Sequence, residues 1–189
     1  MLQDLIYLSS FYLNLDDVSD YLTSLADETP LDKPDDVDKL ISLANLTIRK
    51  VVREFAPLYA EESVTSNANC EISYSNLTKD VCNIKSVSTA DGLSATFRVF
   101  PEFIKVGYPN QSYFVNYSFY PDELDDLTDD LVLPIGVTKE AIAFGICAEY
   151  LTISGMFDEA DVFEDKFKKS LADGLINQRE RKVLNRGWI

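Results

Sequence analysis

Residues Asp35 to Pro57 read "DDVDKLISLANLTIRKVVREFAP", and their periodicity sets the frame for the rest of the chain. Val37, Leu40, Ile41, Ala44, Ile48, Val51, Val52 and Phe55 recur at the i, i+3, i+4 and i+7 spacing of one apolar helix face. Asp35 and Asp36 stand at the start of the run, Pro34 lies just ahead of it, and Pro57 stops it. The spacing predicts an amphipathic helix of about five turns. Its apolar stripe is core, with no cofactor role.

Toward the N-terminus, Leu2, Leu5, Ile6, Tyr12 and Leu13, then Val18, Tyr21, Leu22 and Leu25, repeat at helical intervals. The break near "NLDD" predicts two short helices or one bent one, with Asp16 or Asp17 as the N-cap of the second. "DETPLDKPDD" then separates this segment from the long helix.

Beyond Pro57 the period changes to two. "CEISY", "VCNIKSV", "ATFRVF", "FIKV" and "SYFVNYSFY" are short β-type runs between about Cys70 and Tyr120, separated by turn signals such as "ADG" and "YPNQ". In the last run Tyr113, Val115, Tyr117 and Phe119 share one face. An antiparallel sheet or small sandwich of four to six strands follows, inserted over residues 68–120.

The link 121–134, "PDELDDLTDDLVLP", carries Asp122, Glu123, Asp125, Asp126, Asp129 and Asp130 between its prolines and reads as an exposed acidic loop. The helix from Thr138 to Leu151 is apolar nearly all round, so it is either the centre of its domain or is covered by a neighbouring subunit. A final helix turns Phe157, Ala160, Phe163, Phe167 and Leu171 inward. Lys166, Lys168 and Lys169 suit its C-terminal dipole, and Gly174 is the expected C-cap. The fold class is therefore α+β. Helices over 1–56 and 138–174 form a bundle around the β insertion in a single domain over 1–175, followed by an extended basic arm over 176–189.

Composition narrows the function. The chain has 189 residues, a net charge of -15, three cysteines and no histidine. A zinc site needs four nitrogen or sulfur donors, so none is expected; Cys70, Cys82 and Cys147 read as reduced, packed thiols. The charge disfavours general contact with nucleic acid or anionic membranes. No apolar run reaches the roughly 20 residues of a membrane span, and the N-terminus lacks the basic flank of a secretory signal. GxSxG, GxxxxGK[ST] and GxGxxG are all absent. A carboxylate pair in a polar loop lacks the burial that raises a catalytic acid's pKa. No enzyme, metal or cofactor is expected.

Against this acidity, the final "INQRERKVLNRGWI" gathers three of six arginines, one lysine and the only tryptophan. Arg179, Arg181, Lys182, Arg186 and Trp188 are the expected protein-binding residues, since Arg and Trp dominate interface hot spots.

The order of elements resembles the head-to-tail adaptor (connector) proteins of tailed bacteriophages. The resemblance runs from "DVDKLISLANLTIRKVVREFAPLY", through "ISYSNLTKDVCNIKSVSTADG", "FRVFPEFIKVGYP" and "YFVNYSFYP", to "LVLPIGVTKEAIAFGICAEYLTISGMFDEADVFEDKFKKSL". It implies a virion protein made in the host cytoplasm that does no chemistry. Roughly twelve copies would form a closed ring under a portal protein. The ring would extend the DNA channel, whose lining the acidic loop and overall charge suit, without binding DNA specifically, and would dock a tail or stopper protein. Other readings are another neck or tail-completion protein, or a cytoplasmic module binding a peptide or small ligand.

Overall fold

The change of period after residue 57 is where the chain changes architecture. The computed structural model describes residues 1–25, 27 and 31–179, with 176–179 described by backbone alone. Among them the order is α1 (Leu2–Leu13), α2 (Asp16–Ser24), α3 (Asp35–Glu54), β1 (Leu58–Thr65), β2 (Glu71–Ser73), a 3-10 turn (Tyr74–Asn76), β3 (Asp80–Thr89), β4 (Arg98–Val99), β5 (Phe103–Lys105), β6 (Ser112–Tyr120), α4 (Lys139–Ile153) and α5 (Phe157–Arg179). The protein is α+β. It divides into two compact units: residues 1–51 with those from 123 on, and an inserted unit of residues 52–122.

In the helical unit, α1 ends because Asn14 adopts a left-handed conformation (φ 54°), where its N–H returns to Ser10 and Phe11 carbonyls. That turn makes two helices of the N-terminal segment. Neither Asp16 nor Asp17 caps α2: Leu15 is its N-cap, and both aspartates sit in the first turn, where they favour the positive end of the helix dipole. The α3 stripe is buried from Val37 to Val52, with Val37, Leu40, Ala44 and Val51 inaccessible to solvent, but Phe55, expected to close it, lies just past the helix end and is 38% exposed.

α4 begins at the N-cap Thr138, whose hydroxyl accepts from Ala141 N–H at 3.1 Å. It packs between α1 and α5, and Ile142, Ala143, Ile146 and Cys147 are fully buried. The all-round apolar helix is thus the centre of its own unit, and it calls for no neighbouring subunit to cover it. Gly145 makes the packing close: a Cβ there would lie 2.5 Å from Thr47 Cγ2 and 3.1 Å from Phe167.

Two expectations for the last helix are corrected. Gly174 is not a C-cap, since α5 continues to Arg179. The glycine is needed inside the helix because a Cβ would stand 2.1 Å from the Gly136 carbonyl oxygen. Phe157 does not face inward either, being 63% exposed in the first turn, while Ala160, Phe167 and Leu171 are buried.

In the inserted unit, β1, β6 and β3 form one antiparallel sheet with β6 central, and β2, β5 and β4 form a second. Both contribute to one core: Ile84, Val87, Tyr113, Val115 and Tyr117 from the first, Ile72 and Ile104 from the second. The alternation expected of β6 holds, and the arrangement is a small sandwich.

The strand Leu58–Thr65 lies ahead of the expected start at residue 68. β1 does not show the apolar alternation of a strand because Glu62 takes an inward position, in the order Leu58, Ala60, Glu62, Val64. Glu62 is tolerated there because Thr78 donates to it from N–H (3.1 Å) and Oγ1 (2.6 Å), and the Tyr117 hydroxyl donates as well. Burial pushes its carboxyl up, but these hydrogen bonds outweigh burial and hold it below the ordinary range. Burial, reinforced by Glu62, raises the Tyr117 hydroxyl.

Candidate functional site

The six carboxylates of the link are the densest set of one charge in the sequence, and their side chains divide three ways. Leu124 and Leu127 are both buried, so they anchor the link to the helical core. Asn45 of α3 clamps the first of them: its amide donates to Leu124 C=O at 2.8 Å and its carbonyl accepts from Leu124 N–H at 2.9 Å. The link returns the support by capping α1, which has no side-chain cap of its own. Leu2 N–H donates to Asp129 C=O and Gln3 N–H to Leu127 C=O, both at 2.9 Å. Two orphan donors of the first turn are thereby satisfied.

Asp126 and Asp129 are spent on the loop itself. Asp129 Oδ2 accepts from the N–H groups of Asp125 (2.8 Å) and Asp126 (2.9 Å). Asp126 Oδ1 accepts from Thr128 N–H and hydroxyl, and these bonds, the backbone one first, hold its carboxyl below the ordinary range. Asp122, which belongs to the inserted unit, pairs with Lys79 at 3.0 Å. Glu123, Asp125 and Asp130 point to solvent and have no ion-pair partner among the described residues.

The loop expected to be simply solvated is therefore a pinned turn that presents three free carboxylates. The six do not converge: among the described residues no group of three or more acidic, cysteine or histidine side chains could hold a metal ion.

Of the expected binding residues at the other end, Arg179 closes α5 by its backbone. Its side chain, and all of Arg181, Lys182, Arg186 and Trp188, lie outside the described residues. The helix runs past residue 176, so the arm does not begin there in extended form.

One constellation matches no sequence motif. Arg53, Pro57, Tyr59, Cys82, Asn83, Lys85, Ser118 and Tyr120 of the inserted unit line an open cleft of about 420 Å³. It brings two cations and two tyrosines together from positions up to 67 residues apart, with no carboxylate in its lining. The only sequence signal for it is composition: residues 52–122 hold five cations to eight carboxylates, against 12 to 24 in the rest of the chain.

Cys147 is fully buried, its thiol pushed up to about 12 by burial, so it is inert as a nucleophile at neutral pH. Cys70 and Cys82 are half-buried, free thiols. Among the described residues no helix is long and apolar enough to cross a membrane. No protein-family model matches the chain, and no curated protein matches it either.

Proposed function

We propose that the chain is a structural subunit of a phage head–tail junction, an adaptor in a closed ring between portal and tail. The observation that carries this reading is the pinned acidic link. Leu124, Leu127 and Asn45 fix it, and Glu123, Asp125 and Asp130 face outward from it without ion-pair partners. A ring passed by a polyanion is kept from sticking to it by the excess acidity of its subunits, and a loop held by its own backbone bonds keeps its unpaired carboxylates at fixed positions. The order of elements and the net charge of -15 support the same role.

The cationic end is the natural latch to another protein. Arg179, Arg181, Lys182 and Arg186 supply charge, and Trp188 supplies an aromatic anchor. The portal and a tail or stopper protein are its partners in this reading, and DNA passes without specific contact.

The test is to mix the full chain with the portal protein of the same virion and weigh the product by native mass spectrometry. A closed multiple of the chain on the portal supports the proposal. Two species that never combine, across protein concentrations and at low and moderate salt, reject it.

A further inference from the structure

In a chain with nearly twice as many acids as bases, lysines are consumed by carboxylates. Lys33, Lys39, Lys50, Lys79, Lys139 and Lys168 each have an acidic partner within 3.2 Å. Lys85, Lys105, Lys166 and Lys169 have no such partner among the described residues, and Lys85 with Arg53 lines a cleft on the outer side of the β1–β6–β3 sheet; Lys105 with Arg98 lines a second opening of like charge.

Arg53, in the last turn of α3, makes no ion pair among the described residues. Lys85 sets its ammonium 4.0 Å from the centroid of the Tyr59 ring. Cation–π contact of this kind leaves the charge available to an anion from the open side. Tyr59 is 51% exposed and Tyr120 forms part of the same lining. Asp80, the register partner of Tyr120, does not line the cleft.

The strand pairing shows how the site is built. Tyr59, Ser118 and Asn83 form one row across β1, β6 and β3. β3 then departs from regular pairing twice, between Val81 and Asn83 and between Ile84 and Ser86. The residues skipped are Cys82 and Lys85, and both line the cleft. A bulge re-aims a side chain and locally gives up ladder bonds, which is why bulges gather at sites of use. Two of them three residues apart, delivering their extra residues to one concave surface, distinguish this cleft from a chance meeting of surface charges.

We infer that the cleft is a carboxylate-binding site, and that its occupant is the acidic link of a second copy of the chain, through the outward Glu123, Asp125 and Asp130. Charge complementarity selects the occupant: the cleft offers two cations and no acid, and the link offers three carboxylates without ion-pair partners. Two cations make few phosphate contacts, so a nucleic acid is the weaker fit. Cleft and link are different patches of one chain, so a contact between them runs head to tail, the kind of interface that a closed ring is built from when its rotation closes. The inference rests on the ring reading for its second copy, and it names the side chains that meet.

A charge swap in full-length chains tests it. One variant carries Arg53→Glu and Lys85→Glu; the other carries Glu123→Lys, Asp125→Lys and Asp130→Lys. All five positions are on the surface, and thermal melts confirm that both variants fold. Sedimentation velocity at low salt should show wild type gaining mass with concentration, each variant alone associating at least tenfold more weakly, and their equimolar mixture recovering association. The neutral pair Arg53→Gln and Lys85→Gln should fall between wild type and the reversed cleft.

A wild-type mass that never rises, variants that associate as wild type does, or a mixture that does not recover overturns the contact. So does a single-stranded oligonucleotide that binds the wild-type cleft more tightly than the chain binds itself and is lost in the Arg53→Glu, Lys85→Glu variant. Portal capture separates the two readings. A chain with the cleft reversed that still assembles on portals leaves the ring standing and removes this contact; recovery in the mixture with no portal capture by wild type does the opposite.

Discussion

The two units of this chain solve the problem of acidic residues in opposite ways. The helical unit has 24 carboxylates against 12 cations in sequence, and those among its described residues stay out of its core. They start helices, as Asp35, Asp36 and Asp38 do at α3, or tie a loop, as Asp126 and Asp129 do. The inserted unit has eight carboxylates against five cations. It turns Glu62 toward its sandwich core and satisfies it with Thr78 and Tyr117. A helix has one face to spare for charge. A strand in a sandwich alternates, so an acid on the wrong phase must find donors inside.

The difference can be broken experimentally, beginning with the core of the helical unit. Ile146→Ala, at a fully buried position of α4, should cost about 2–5 kcal/mol in denaturant unfolding. Labelling of the buried Cys147 thiol should accelerate with it, while labelling of Cys70 and Cys82 in the inserted unit should not. Equal acceleration of all three thiols would mean that the units do not open separately.

Asn45→Ala removes both partners of the Leu124 backbone and should cost about 1–3 kcal/mol. Hydrogen exchange should rise at Leu124 first, then at Leu2 and Gln3, whose acceptors lie on the same link. An unchanged exchange pattern would show that Leu124 and Leu127 pin the link without the clamp.

Thr138→Ala removes the N-cap of α4 and should cost about 1 kcal/mol, with Thr138→Ser nearly silent. Thermal melts of the three proteins decide it.

The smallest effect is visible only as a pH slope. The folded-state pKa of Glu62 lies below its ordinary value. Its contribution to stability is therefore complete above the unfolded value of about 4.3 and is lost as pH falls through the folded value. Between about pH 5 and pH 3, wild type should lose stability faster than Glu62→Gln. Parallel slopes would show that the cluster around Thr78 and Tyr117 adds nothing specific to the carboxylate.

Local pattern carried a large part of this architecture. The α3 stripe, the buried α4, the alternation of β6 and the α+β class all follow from which residues repeat within a few positions, because helix and strand periods are local properties. Three features depended on contacts that no local window contains. β1 needed Tyr117 and Thr78 to accept an inward Glu62, across 55 and 16 positions. The acidic link became a rigid cap through Asn45, 79 positions away. Gly174 stayed helical because of Gly136.

What the sequence by itself determined is therefore the helices, the strands after β1, their order and the sign of the surface. Only the tertiary structure decided which of the six link carboxylates remain free, and that Arg53, Tyr59, Lys85 and Tyr120 form one cleft. The physical reason is that hydrogen-bond satisfaction and charge proximity are set by distances in space, which β bulges and backbone clamps fix and residue spacing does not encode.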